Sequence, residues 1–144
     1  MSAAIRLLTG DWNTLGEAAY SIRHKVFVVE QKVPLALEHD EADAISLHVL
    51  ALNPEKQPIA TGRLLPDGHI GRVAVLPEWR KHGVGRQIML RLLEEASKRG
   101  DAEVVLHAQT DAECFYAALG FVSAGDAFME AGIAHRIMRK TLQN

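Results

Sequence analysis

The stretch Val73-Ala74-Val75-Leu76-Pro77, followed closely by Arg80-Lys81-His82-Gly83-Val84-Gly85-Arg86, decides how this chain reads. The first run is apolar and has the character of a strand. The second carries two glycines and opens an apolar pattern of helical period, with Val84, Ile88, Met89, Leu92, Leu93 and Ala96 on one stripe. A strand, a short turn and a glycine-bearing helix start make a natural anion site. Gly83 and Gly85 have no side chain to hold a ligand off the backbone. The first N–H groups of a helix lack partners inside it, and the helix dipole adds positive potential there. Arg80, Lys81 and Arg86 add more, so a diphosphate suits this turn. The spacing is neither the G-x-G-x-x-G of dinucleotide folds nor the Walker loop. The alternative is a plain helix start with two loop glycines and a solvated basic face.

Composition narrows the context. The chain has 144 residues, 48% of them hydrophobic and 24% charged, enough for one domain, 1–144, with a packed core. A net charge of -2 gives no basic field for nucleic acid. The single cysteine, Cys114, fits a reducing compartment and is expected as a small buried residue on a helix face. The N-terminal apolar run is too short for a signal peptide, and no stretch reaches membrane-spanning length. These features predict a cytoplasmic protein with no membrane or nucleic-acid partner. The seven histidines show no metal-ligand spacing with the cysteine, so no metal is expected.

Periodicity supplies the order of elements. Ile5–Leu8 reads as a strand, Asp11 as a helix cap, and Trp12–Gln31 as a helical region with Leu15, Ala18, Ala19, Ile22, Val26 and Val29 at helical spacing. Val33–Asp43 is an acidic loop. Strands follow at Ser46–Leu52, Pro58–Leu65 and His69–Leu76, the last two joined by a Pro66-Asp67-Gly68 turn. A helix is expected from about Arg80 to Arg99, a strand at Glu103–Ala108, a short helix capped by Asp111, and strands at Phe121-Val122 and Ala134–Leu142. This is a mixed α/β sheet with helices over its faces.

A second constellation lies downstream. Gln109 follows the strand Glu103–Ala108, and Phe115-Tyr116-Ala117-Ala118-Leu119-Gly120-Phe121 follows Gln109. The R-x-x-G-x-G turn after a V-A-V strand, together with this F-Y-x-x-L-G-F block, resembles the GCN5-related N-acetyltransferases. The resemblance implies the acyl-CoA N-acyltransferase fold, with a mostly antiparallel central sheet of about six to seven strands and about four helices. It implies acetyl-CoA as co-substrate, with Val73, Ala74 and Val75 holding the pantetheine arm and the thioester oxygen through main chain. Arg80, Lys81, His82, Gly83, Val84, Gly85 and Arg86 would surround the diphosphate. Tyr116 would protonate the departing thiolate. Gln109 stands where the family more often has Asn, one methylene shorter.

The resemblance leaves the acceptor and the base open. Where some members carry a glutamate, this chain has Val104-Val105-Leu106. Candidates elsewhere are Glu38, Asp40, His48, His69, His107 and His135, each equally readable as a surface or satisfied polar residue. Glu38, Asp40 and Asp43 could form an electronegative rim for an ammonium substrate or a solvated acidic loop. The segments Arg23–Gln31, Glu38–Asp43 and Glu130–Met138 resemble a branch of small bacterial acetyltransferases of largely unassigned substrate. Arg23, Phe27, Asp40 and Asp43 also resemble acyl-homoserine lactone synthases, although Leu35 or Leu37 stands where those enzymes favour Trp. The expected activity is direct transfer of acetyl from acetyl-CoA to a small-molecule or peptide amine. The rivals are an acyl-homoserine lactone synthase and a non-catalytic coenzyme A sensor. The family resemblance allows a homodimer.

Overall fold

The computed structural model describes residues 4–34 and 40–142. Seven strands form one sheet in the order β1-β2-β3-β4-β5-β7-β6. They are β1 (Arg6–Gly10), β2 (Leu47–Leu52), β3 (Pro58–Leu64), β4 (His69–Val75), β5 (Glu103–Gln109), β6 (Val122–Glu130) and β7 (Ile133–Thr141). All neighbours are antiparallel except β4 and β5, which run parallel. Among the described residues there are three α-helices, α1 (Trp12–Arg23), α2 (Val84–Lys98) and α3 (Glu113–Ala118), where about four were expected. The remainder of the first helical region, His24–Glu30, is wound as a π-helix.

The helices divide the core. The Asp11 carboxylate accepts the Thr14 N–H at 2.9 Å and starts α1. Leu15, Ile22 and Val26 then pack with Leu50, Ala74 and Leu76 on one face of the sheet. On the other face, Val84, Ile88, Met89 and Leu92 of α2 pack with Val49, Ala60, Leu64 and Leu106. Gly62 lets α2 lie close to β3. A Cβ there would stand 2.8 Å from Ile88 Cγ2 and 2.9 Å from Leu92 Cδ1, well inside contact distance.

Several boundaries differ from those the sequence suggests: the short helix, for one, starts at Glu113 after Ala112 with no side-chain cap from Asp111. The long helix begins at Val84, not Arg80, because Lys81 (φ 66°) and Gly83 (φ 79°) are left-handed and no α-helix can run through them. The strand foreseen at Phe121-Val122 continues to Glu130. Its middle, Ser123 to Ala127, has weak strand propensity and a bulge at Gly125 (φ 85°), yet β7 pairs with it at both ends. Ala131 (φ 53°) and Gly132 (φ 77°) close that hairpin with two left-handed residues, the form that matches strand twist.

The parallel pair creates the site. Strands β4 and β5 have seven residues each. Pairing between them joins only His69 to Val105 and Ile70 to Leu106. Beyond that point they part. Strand β4 also carries one extra residue between its pairings Arg63–Gly71 and Thr61–Ala74, with Arg72 at φ 51°. Such a bulge turns main-chain groups out of the ladder, and here they border the gap.

Candidate functional site

The gap between β4 and β5 opens a cleft of about 1180 Å³. Val73, Ala74 and Val75 line one side. Lys81, Gly83, Val84, Gly85 and Arg86 line its end, at the start of α2. The first internal bond of that helix runs from the Gln87 N–H to the Gly83 carbonyl at 3.1 Å. The amides of Val84, Gly85 and Arg86 precede it and have no acceptor within the helix. Gly83 has nothing within 4 Å of where a Cβ would be, and a Cβ on Gly85 would meet only ordinary contacts, 3.5 Å to Val75 Cγ2 and 3.6 Å to Phe115 Cζ. The protein's own packing therefore requires neither residue to lack a side chain.

Arg80 has a different place from the one its position suggests. Its Nε donates to the Val75 carbonyl at 3.0 Å, and its two terminal nitrogens donate to Glu30 at 2.6 and 2.7 Å. Hydrogen bonding from Arg80 holds the Glu30 carboxyl below its usual range. Arg80 is thus a strut joining β4, the turn and the π-helix, and it also lines the cleft. His82 is exposed beside Trp79, with ring centroids 6.1 Å apart, and does not line the cleft.

The opposite wall comes from β5 and α3. The Gln109 side chain donates to Gln31 Oε1 at 3.0 Å and links β5 to the end of the π-helix. Tyr116 lines the cleft, half-buried between the rings of Phe115 (5.0 Å) and Phe121 (6.0 Å). Burial pushes its hydroxyl pKa up to about 12, so it carries its proton at neutral pH.

The far end of the cleft is polar. Arg63 and Arg72 line it, and behind them stands a network of ion pairs. Arg23, 1% exposed, donates to Asp43 at 2.8 and 3.0 Å. Arg63 joins Asp43 at 3.0 Å and Asp40 at 2.7 Å, and Arg72 reaches Asp40 at 3.2 Å. Burial raises the carboxyl pKa of Asp40, but the Ala42 amide and the two arginines outweigh it and hold it at about 2. Beside this network lie His69, His107, Glu130 and His135, also on the cleft wall.

The chain matches the Acetyltransferase (GNAT) domain over residues 14–142. It belongs to that family. The uncharacterized N-acetyltransferase YjcF of Bacillus subtilis is 39% identical over 126 residues, covering 85% of this chain and 89% of that protein. An acyl-CoA N-acyltransferase from Pseudomonas aeruginosa superimposes with TM-score 0.86 at 32% identity, covering 96% of this chain and 100% of that one. The coenzyme A-dependent acyl-homoserine lactone synthase BjaI shares the fold with TM-score 0.80 at 16% identity, covering 97% and 84% of the two chains. At that identity the likeness speaks for the fold alone. The protein is therefore an acyltransferase of a fold that works on an acyl-CoA.

Within this acetyltransferase the structure separates the residues singled out in the sequence. Val73 to Val75, Arg80, Lys81, the turn from Gly83 to Arg86, Gln109, Tyr116 and His135 share one cleft. His48 does not reach it. It is 1% exposed, tilted at 45° against the Trp12 ring with centroids 4.9 Å apart, and its Nε2 donates to the Asp43 carbonyl at 2.9 Å. Burial lowers its pKa, so it is a neutral core histidine. Asp40 and Asp43, two of the acidic residues expected at the rim, are paired with arginines. Glu38 lies outside the described residues. Cys114 is exposed, not buried. Among the described residues no group of three or more His, Cys, Asp or Glu is gathered tightly enough to hold a metal, and no helix is long and apolar enough to cross a membrane. The pairings Glu30–Arg80 and His107–Glu130 have no sequence signal, since their partners are 50 and 23 residues apart.

Proposed function

We propose that this protein transfers the acetyl group of acetyl-CoA directly to a primary amine, with both substrates bound in the cleft at once. The observation that carries the reading is the parting of β4 and β5 after two pairs, directly upstream of a glycine turn at the mouth of α2. The residues present fit such a carrier. A glycine in a helix's first turn costs up to about 1 kcal/mol relative to alanine, and nothing in the protein's packing demands Gly85. A ligand lying against the backbone would explain it.

Bound acetyl-CoA supplies a thioester, an acyl group activated toward amines. The unpaired edge of β4 from Val73 to Val75 offers N–H and C=O groups to an extended amide-bearing arm, as an added strand would. The amides at the start of α2, with Lys81 and Arg86, offer donors and positive charge to a diphosphate. Gln109 offers an amide from the other wall. Tyr116 holds a proton in a dehydrated setting where a departing thiolate needs one. The polar end beyond Arg72 admits the amine, with His135 on its wall. The acyl-homoserine lactone synthase reading gains no particular observation here, and Tyr116 in the cleft weighs against a purely binding role.

The test is direct. Acetyl-CoA should bind by calorimetry and raise the melting temperature, because it stabilises only the folded state. Tyr116→Phe should lower kcat for thiol release in an amine panel about 10- to 100-fold and leave acetyl-CoA affinity unchanged. An unbound carrier refutes the reading; an unaltered rate removes Tyr116 from it.

A further inference from the structure

We infer that His107, held by Glu130, is the base that takes the proton from the acceptor's ammonium group; the inference rests on the amine-transfer reading above. The geometry is the following. His107 is the first residue of β5 after Leu106, the last one paired with β4, so it stands where the two strands part. Leu106 and Ala108 face the α2-side core, which turns His107 to the opposite face and into the cleft. Its Nδ1 lies 2.9 Å from Glu130 Oε1 on the hairpin end of β6. A carboxylate accepts, so Nδ1 carries the hydrogen and the neutral ring keeps its lone pair on Nε2. Among the described residues nothing hydrogen-bonds to that nitrogen. The edge of the ring on Phe128, with centroids 5.3 Å apart, fixes its plane.

The other candidates fail on geometry. His48 is in the core, and Asp40 is tied to two arginines. His69 sits at the closed end of the gap, paired through Nδ1 with Asp67 at 3.0 Å, its ring 6.1 Å from His107. His135 donates from Nδ1 to the Ile133 carbonyl at 2.7 Å and turns Nε2 toward Glu130 at 4.0 Å, so its lone pair faces the carboxylate. The groups facing His107 are therefore Glu130, His69 and His135, with Asp67 behind His69.

The step balances. The ammonium nitrogen gives one proton to His107 Nε2 and, as a neutral amine, forms the bond to the acyl carbon. The carbon–sulfur bond breaks, and the sulfur takes a proton from Tyr116. The nitrogen's second proton restores Tyr116, and His107 releases the first to solvent. Glu130 matches the imidazolium in charge while it lasts. The acceptor class follows: an amine that is protonated at neutral pH.

Two measurements test it. The imidazole tautomer of wild-type His107, read by nitrogen-15 NMR, should be the Nδ1–H form; the Nε2–H form overturns the inference without touching the transfer reading. Thiol release with ethylamine, an ammonium at neutral pH, and trifluoroethylamine, a free amine there, should diverge in His107→Gln. The first should fall about 100-fold in kcat/KM and the second less than about threefold. The melting temperature and acetyl-CoA affinity of the variant serve as controls of its fold. Equal losses for the two amines remove His107 as base and leave the transfer reading intact. Wild type that binds acetyl-CoA but acetylates neither amine overturns both.

Discussion

The two ends of the cleft are built on opposite principles. The end at α2 is made of main chain: an unpaired strand edge, a left-handed turn and the first amides of a helix. The end beyond Arg72 is made of side chains: five residues in an ion-pair network and three histidines held by carboxylates or carbonyls. Main chain can grip a ligand whatever the side chains are, so the first end suits a carrier that never changes. Side chains discriminate, so the second end suits an acceptor that distinguishes one acetyltransferase from another. The two should fail differently when they are cut.

The sharpest cut is Asp43→Ala. It removes the carboxylate shared by Arg23 and Arg63, both nearly buried, and leaves two guanidiniums without that partner. Breaking such a pair costs about 3–5 kcal/mol, to be read by urea denaturation. Among the molecules that remain folded, acetyl-CoA affinity should be kept; its loss would mean that the two ends are not separable. Next in size is Gly83→Asp. The side chain meets no protein atom but takes on the strain of φ 79° and sets a negative charge at the helix mouth. Acetyl-CoA affinity should fall at least about 100-fold, or about 2.8 kcal/mol, by calorimetry, with His107 and Tyr116 untouched. Unchanged affinity would put the carrier elsewhere.

The smallest effect is in acid. Asp40 has a pKa of about 2 in the fold against an ordinary 3.8, so its contribution to stability is complete above 3.8 and is lost as pH falls toward about 2. Denaturation midpoints of the wild type should drop through that window more steeply than those of Asp40→Asn. Parallel curves would show that Asp40 is not tied to Arg63 and Arg72 in solution.

The two ends also differ in how far the amino-acid sequence reveals them. The main-chain end is legible as a place in the fold because its pieces are adjacent in the chain: Val73 to Val75 lead into Gly83 and Gly85, and Tyr116 follows Gln109 within one turn-and-helix unit. Even there a motif does not reveal that Arg80 is paired with Glu30, 50 residues away. The side-chain end is not legible. An acidic loop looks the same whether it faces solvent or three arginines. A histidine in a strand looks the same whether it packs on Trp12, as His48 does, or projects into a cleft, as His107 does.

Local order thus determined most of the strands, the two main helices, the cap at Asp11 and the family, since each depends on periodicity or on backbone freedom within a few residues. Tertiary structure alone decided which charges are cancelled, which histidine is buried and where β4 leaves β5. Those depend on distances between segments 20 to 50 residues apart, and a linear chain carries no direct record of them.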